Sequence, residues 1–277
     1  MNEHERYFFD VNGYIVIKGI LSPEMVRLLN TALDDNSDRS TTGFSLAAGA
    51  ATLNGTRRQD FEDFFAWPEP AGDTFRRLVA LPAAVRYLLE ILGEGFRYDT
   101  VRATVMTTGT EGFKLHGGGG SEDTLYYSFV NGKIRNGLVN ISYSLTDVEA
   151  GDGGFACLPG SHKANLPCPV EVSRLDVGSH YVQNIPVKAG DAILFTEALV
   201  HGTLPWKAPN ERRTVFARYS PGPLQFRRDP LPKGYETFAP LLTPLQKAIL
   251  EPPYFGSRPK IARLLEKEVA KEGAVEP

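Results

Sequence analysis

Leu138-Val139-Asn140-Ile141-Ser142-Tyr143-Ser144-Leu145-Thr146-Asp147-Val148 is the stretch that decides the fold. Side chains of a strand alternate between its two faces. Val139, Ile141, Tyr143 and Leu145 therefore share one face, and Asn140, Ser142 and Ser144 share the other. Such alternation reads as a half-buried strand. The apolar face backs onto a core. The row of small polar groups either lines a wet pocket or faces solvent.

Similar stretches flank it. Arg97 to Thr107 is rich in β-formers, and Phe155 to Leu158 is a short strand between Gly151-Asp152-Gly153-Gly154 and Pro159-Gly160. His180 to Val187, Ala192 to Phe195 and Arg213 to Tyr219 read as further strands. Several short strands at close spacing predict a sandwich or barrel. Towards the N-terminus, Gly13 to Ile20 reads as a first strand. Ser22-Pro23-Glu24 looks like an N-cap with proline in the first helical turn. Met25, Val26, Leu28, Leu29, Ala32 and Leu33 form the apolar stripe of the helix that follows. Residues 36 to 60 are polar and glycine-rich, and read as a loop that covers the molecule. Residues 73 to 92 predict two helices broken at Leu81-Pro82 and stopped at Gly93.

The expected fold class is mainly β with flanking helices packed outside a jelly roll, that is, a cupin-like double-stranded β-helix. A chain of 277 residues is expected to form one domain. It divides into a helical N-terminal part (1–95), a jelly-roll core (96–222) and a C-terminal extension (223–277). The extension ends in a charged surface helix from about Pro259 to Lys271.

A net charge of −3 argues against a nucleic-acid polymer as partner. The polar start Met1-Asn2-Glu3-His4-Glu5-Arg6 lacks the apolar core of a signal peptide, and no apolar run is long enough to span a membrane. Cys157 and Cys168 are too few for a disulfide framework, so a cytoplasmic, reduced protein is expected.

Of the five histidines, His4 lies in a terminus, His162 in the turn Pro159-Gly160-Ser161-His162-Lys163, and His180 at a strand start. His116 and His201 differ: each is expected to end a β-rich stretch and to enter a glycine-containing loop, at Gly117 and Gly202. Metal ligands at the ends of strands are held rigidly. The chain returns after His201 into the strand near Arg213, which is expected to bring Arg212 beside His201. A guanidinium there anchors a carboxylate, with the Thr203 hydroxyl as a second donor. Histidine pairs in structural roles and surface arginines remain open alternatives.

These residues resemble the phytanoyl-CoA dioxygenase-like branch of the iron(II)/2-oxoglutarate oxygenases. The resemblance runs from Gly13-Tyr14-Ile15-Val16 to Tyr219-Ser220-Pro221-Gly222. It rests on His116, Leu145-Thr146-Asp147 leading to Gly153-Gly154, Pro159 to Lys163, Gly190-Asp191, His201 and Arg212. It implies Fe(II) on His116 and His201, 2-oxoglutarate anchored by Arg212 and Thr203, and O2 as oxidant. Asn140 and Ser142 would orient the cofactor or substrate.

One position departs from the pattern. A two-His-one-carboxylate site of this branch carries Asp two residues after the first histidine; here that residue is Gly118. Halogenases of this type have Gly or Ala there, with chloride in the vacated position. The resemblance thus implies a halogenase that chlorinates an sp3 carbon, with Gly118 as the halide position. Three alternatives stand beside it, of which the first is hydroxylation or another oxidation supported by water or the open site without halide; the remaining two differ in the site itself. One is a hydroxylase with Glu122 or Asp123 folded back as the carboxylate, and the other is a non-catalytic barrel.

The expected partner is a small molecule. Arg57, Arg58, Lys114, Lys133 and Arg135 near the mouth suit a phosphate, and Phe44, Phe113, Tyr126, Tyr127 and Trp206 suit a stacked base. That favours a free nucleotide or nucleoside, with a carrier protein as a further option.

Overall fold

The computed structural model describes residues 1–42, 58–118 and 126–272. The N-terminal part alternates helices with short strands: α1 Glu3–Asn12, β1 Tyr14–Ile17, α2 Pro23–Asp35, β2 Thr41–Thr42, β3 Gln59–Phe61, α3 Ala71–Val79 and α4 Pro82–Leu92. Then come β4 Arg97–Met106, β5 Phe113–His116, β6 Tyr127–Val130, β7 Lys133–Asn136, β8 Val139–Ser144 and β9 Gly154–Cys157. The central part closes with α5 Val170–Ser173, β10 Gln183–Asn184, β11 Ala192–Thr196, β12 His201–Leu204 and β13 Arg212–Ser220. Three helices follow: α6 Tyr235–Phe238, α7 Pro244–Ile249 and α8 Ile261–Glu272.

Local chemistry sets these boundaries. In α2 the Ser22 hydroxyl accepts the Met25 N–H at 3.1 Å, and Met25, Leu29, Ala32 and Leu33 are buried as the stripe requires. Helix α1 is not apparent from its polar composition. A capping box between Asn2 and Glu5 starts it, and Gly13 at φ 79° ends it.

The strands form three separate sheets. The largest has the order β1-β11-β8-β13-β4-β3-β2, the second β10-β9-β12-β5, and β6-β7 is a hairpin. All pairings are antiparallel. One face of the large sheet (Ile141, Tyr143, Leu194, Val215, Ala217) packs into the main apolar core with the helices. The other face meets the four-stranded sheet, where Ile193 and Phe195 pack on Phe155 and Cys157.

The expected mainly β jelly roll is therefore corrected. The described residues form a mixed α/β fold whose three sheets share no strand and do not close into a barrel. Alternation along a strand identifies its faces, but edge pairing depends on partners distant in sequence. The strand expected from His180 to Val187 is also shorter. Gly178 at φ 71° opens a single turn over Ser179–Tyr181, and only Gln183–Asn184 pairs. No helix among the described residues is long and apolar enough to cross a membrane.

Candidate metal centre

β5 and β12 are neighbours, and their register sets His116 directly opposite His201. The rings stand 4.3 Å apart between centroids. Each histidine is oriented through Nδ1: His201 donates to the Leu199 carbonyl at 2.7 Å and His116 to the Lys114 carbonyl at 3.1 Å. With Nδ1–H committed, the lone pair lies on Nε2 in both rings. His116 is exposed to the cavity, yet the protein packed around its ring and repulsion from His201 lower its pKa to about 4. His116 is thus neutral and ready to ligate over the neutral range.

A carboxylate completes the group. Glu197 follows β11, and its N–H bonds to the Leu138 carbonyl at 3.0 Å. A tight corner then carries the chain from the large sheet into the four-stranded sheet, and His201 starts β12 on the far side. Glu197 Oε2 lies 3.7 Å from His201 Nε2. Its other oxygen, Oε1, accepts a hydrogen bond from the Asn140 amide. Ligand atoms of His116, Glu197 and His201 all fall within 4.8 Å of one another. This is a two-His-one-carboxylate triad of the kind that binds iron with open positions left for co-substrates.

The triad overturns the halogenase reading. Gly118 is neither a vacated ligand position nor a halide site, and chloride has no place in the cofactor set. The glycines answer to packing. A Cβ on Gly117 would sit 2.6 Å from the carbonyl oxygens of Glu197 and Leu199, and one on Gly118 would sit 2.7 Å from Val200 Cγ2. Both residues have positive φ, 81° and 105°. At Gly117 the corner's backbone leaves no room for a Cβ, and at Gly118 a side chain would have to displace Val200 and adopt a backbone conformation that favours glycine. Glu122 and Asp123, the other expected sources of the carboxylate, lie outside the described residues.

Sequence reading missed Glu197, though a signal existed. Between Asp191 and Lys207 it is the sole Asp, Glu, Lys or Arg, set in the apolar run Phe195-Thr196-Glu197-Ala198-Leu199-Val200. A charge predicted to be buried needs a partner or a metal.

A cavity of about 500 Å³ opens over the triad. Arg212 reaches it from β13, on the facing sheet and not from a strand beside His201 as expected. Arg212 is 3% exposed, and its guanidinium bonds to Met106 Sδ at 3.3 Å. No carboxylate among the described residues pairs with it. Burial, with repulsion from Arg58, lowers its pKa to about 10, which still leaves it cationic at neutral pH. A buried cation without a counter-charge marks a site for an anion.

Thr203 and Asn140 also line this cavity, while Ser142 lies in a small separate pocket that Arg212 also borders. Of the residues expected to hold a phosphate or base, Arg58 and Phe113 reach the cavity. Lys133, Arg135 and Tyr126 line a different groove. Tyr127 packs on His162, and Trp206 is fully buried, with its indole N–H on the Asn210 carbonyl. Lys114 is exposed on β5, and Phe44 and Arg57 fall outside the described residues.

Known proteins agree with this picture. A dioxygenase, hkm4 of Aspergillus hancockii, is 24% identical over 205 residues, 70% of this chain. The chain spans 62% of the length of that curated relative. Among solved structures, HygX of Streptomyces hygroscopicus, crystallised with nickel and 2-oxoglutarate, superposes with a TM-score of 0.68 at 24% identity. That match covers 80% of this chain and 87% of HygX. The non-heme α-ketoglutarate-dependent carbocyclase SnoK from nogalamycin biosynthesis superposes with a TM-score of 0.59 at 17% identity, over 93% and 94% of the two chains. The phytanoyl-CoA dioxygenase pattern itself matches residues 9–214. With that span matched, the chain belongs to the phytanoyl-CoA dioxygenase family.

Proposed function

We propose that the protein is an iron(II)- and 2-oxoglutarate-dependent oxygenase that oxidises a C–H bond of a small molecule. One observation carries the reading: a His116–Glu197–His201 triad and the unpaired, buried Arg212 share one cavity. Bound iron with 2-oxoglutarate and O2 supplies the oxidising power.

The residues divide the remaining work. His116 and His201 present neutral Nε2 lone pairs, and Glu197 supplies one negative charge against a divalent ion. Asn140 holds the carboxylate through Oε1 and so keeps Oε2 turned towards His201. Arg212 offers a planar fork for the distal carboxylate of 2-oxoglutarate, and Thr203 stands close by on the cavity wall as a hydroxyl donor. Phe155 and Phe195 flank His201 and exclude water from that side.

A small-molecule substrate is supported by the relatives. HygX has been crystallised with hygromycin B, and SnoN, an epimerase, with nogalamycin RO. The cavity's size suits such a ligand. Anaerobic titration of the Fe(II)-loaded protein with 2-oxoglutarate tests the reading. A visible charge-transfer band, insensitive to chloride, absent in His116→Ala and formed only at far higher 2-oxoglutarate concentration in Arg212→Gln, is the expected result. No band in the wild-type protein would overturn it.

A further inference from the structure

The outer half of the same cavity carries an arrangement that the triad and Arg212 do not use. Across the large sheet, Phe195, Asn140, Arg218 and Thr100 stand in one row on adjacent strands β11, β8, β13 and β4. Arg218, Thr100 and Arg227 all border the opening. Arg218 is fixed by Asp99: Nε and Nη2 both donate to Oδ2, at 3.2 and 2.8 Å. The Asp99 side chain is fully buried, and its Oδ1 accepts the Phe226 N–H at 3.3 Å, which ties down the segment bearing Arg227. Arg227 donates Nη1 to Thr100 Oγ1 at 2.9 Å and has no carboxylate partner among the described residues. Arg102, two positions along β4, pairs with Glu62 at 2.8 Å. Among the described residues three guanidiniums thus meet two carboxylates, which leaves one positive charge without an acidic partner in this group. Glu111, the other acid bordering the cavity outside the triad, precedes β5 on the opposite sheet.

We infer that Arg218, Arg227 and Thr100 form a subsite for an anionic group of the substrate: a carboxylate, phosphate or sulfate. Thr100 accepts from Arg227 and so holds that guanidinium at the opening. Arg218 Nη1 and Arg227 Nη2 have no hydrogen-bond partner among the described residues, and both side chains border the same opening, so two planar guanidiniums can serve one group. Position supports the assignment. Thr100 lies two strands from Asn140, which holds Glu197, so the subsite is on the order of 10 Å across the sheet from the metal corner. Arg212 lies six residues from Arg218 along β13, roughly 20 Å away. The two anion sites therefore stand at opposite ends of one strand face: Arg212 for the co-substrate and Arg218–Arg227 for the substrate. This assignment rests on the oxygenase reading, and a free nucleotide falls within the class.

The test uses the Fe(II)-loaded protein under anaerobic conditions with 2-oxoglutarate at saturation, so that Arg212 is occupied. Inorganic phosphate, sulfate and benzoate are each titrated by calorimetry. At least one is expected to bind, with affinity that weakens as salt rises, and Arg227→Gln is expected to weaken it about tenfold, the scale of one charge-assisted contact. Arg228→Gln, an exposed neighbour outside the cavity, is expected to leave it unchanged. Preference for phosphate or sulfate over benzoate assigns a phosphoryl or sulfuryl group, and the reverse order a carboxylate; both support the subsite. Binding of none of the three, or equal affinity in Arg227→Gln, overturns it. If the 2-oxoglutarate band is absent while an Arg227-sensitive anion site persists, the oxygenase reading fails and the subsite stands.

Discussion

Replacing Glu197 with Gln tests the centre at its least expected member. The structure says what the amide will do. Asn140 donates to Oε1, so the glutamine carbonyl takes that place and the NH2 takes the place of Oε2. That NH2 then faces His201 Nε2, whose lone pair lies 3.7 Å from the present oxygen. The variant removes a ligand and its charge, and adds a donor that competes for a second ligand. Changes to groups that merely orient a ligand cost about 10- to 100-fold in metal affinity. Loss of a ligand together with obstruction of its neighbour is expected to exceed that, at roughly 100-fold or more, about 2.7 kcal/mol.

Anaerobic Fe(II) titration gives the affinity, and thermal unfolding of the metal-free variant checks that the fold survives. Glu197→Ala supplies a second reading: added formate can occupy the vacated place beside the Asn140 amide and restore part of the affinity. Fe(II) binding within about threefold of wild type in both variants, alongside its loss in His116→Ala, would refute the triad.

Arg212→Gln is expected to weaken 2-oxoglutarate by a few kcal/mol, about 100-fold, while Fe(II) still binds; titration of the charge-transfer band reads this directly. Asn140→Ala removes the donor to Glu197 and is expected to lower Fe(II) affinity about 10- to 100-fold, with recovery in Asn140→Gln only if the longer amide regains the carboxylate. His162 is buried, and burial lowers its pKa from 6.5 to about 4. The unfolded chain therefore binds this proton more tightly. The contribution is complete above pH 6.5 and is lost as pH falls towards 4, up to ~3 kcal/mol. Urea unfolding across that window should show a shallower pH slope in His162→Gln, and an unchanged slope would discount His162.

Much of the fold was legible because local signals agreed with tertiary packing. Ser22-Pro23, the break at Leu81-Pro82 and the alternation over Val139–Ser144 each correspond to an observed boundary or face. Sheet closure was not legible, because pairing of β1 with β11 or of β12 with β5 joins residues far apart in sequence. The site shows the same division. His116, His201 and Arg212 stood out by residue type. The missing carboxylate was sought two residues after His116, where a side chain would have to displace Val200. It comes instead from the corner that closes over those glycines. A spacing rule fixes a ligand only when both residues ride on one strand, and here they do not.

That corner couples the metal to the architecture. Glu197 ends the path out of the large sheet, His201 begins β12 of the four-stranded one, and His116 closes β5, an edge strand paired with β12 alone among the described residues. An ion bound by all three side chains ties an edge strand to the junction between sheets. The effect must be local, since β8, β13 and β4 are interior strands of the large sheet and do not depend on it. With metal at about 100 times its dissociation constant, the bound state gains about 2.7 kcal/mol over any opened form that cannot bind. Amide exchange at Lys114–His116 and at Glu197–His201 is therefore expected to slow by up to about 100-fold on metal binding, with little change along β8. In Glu197→Gln the same addition should leave both segments unprotected. Protection confined to β5 and β12 with the corner unaffected would mean that the two histidines hold the ion without Glu197, and protection spread evenly over every strand would mean that these segments exchange through global unfolding and not through local opening.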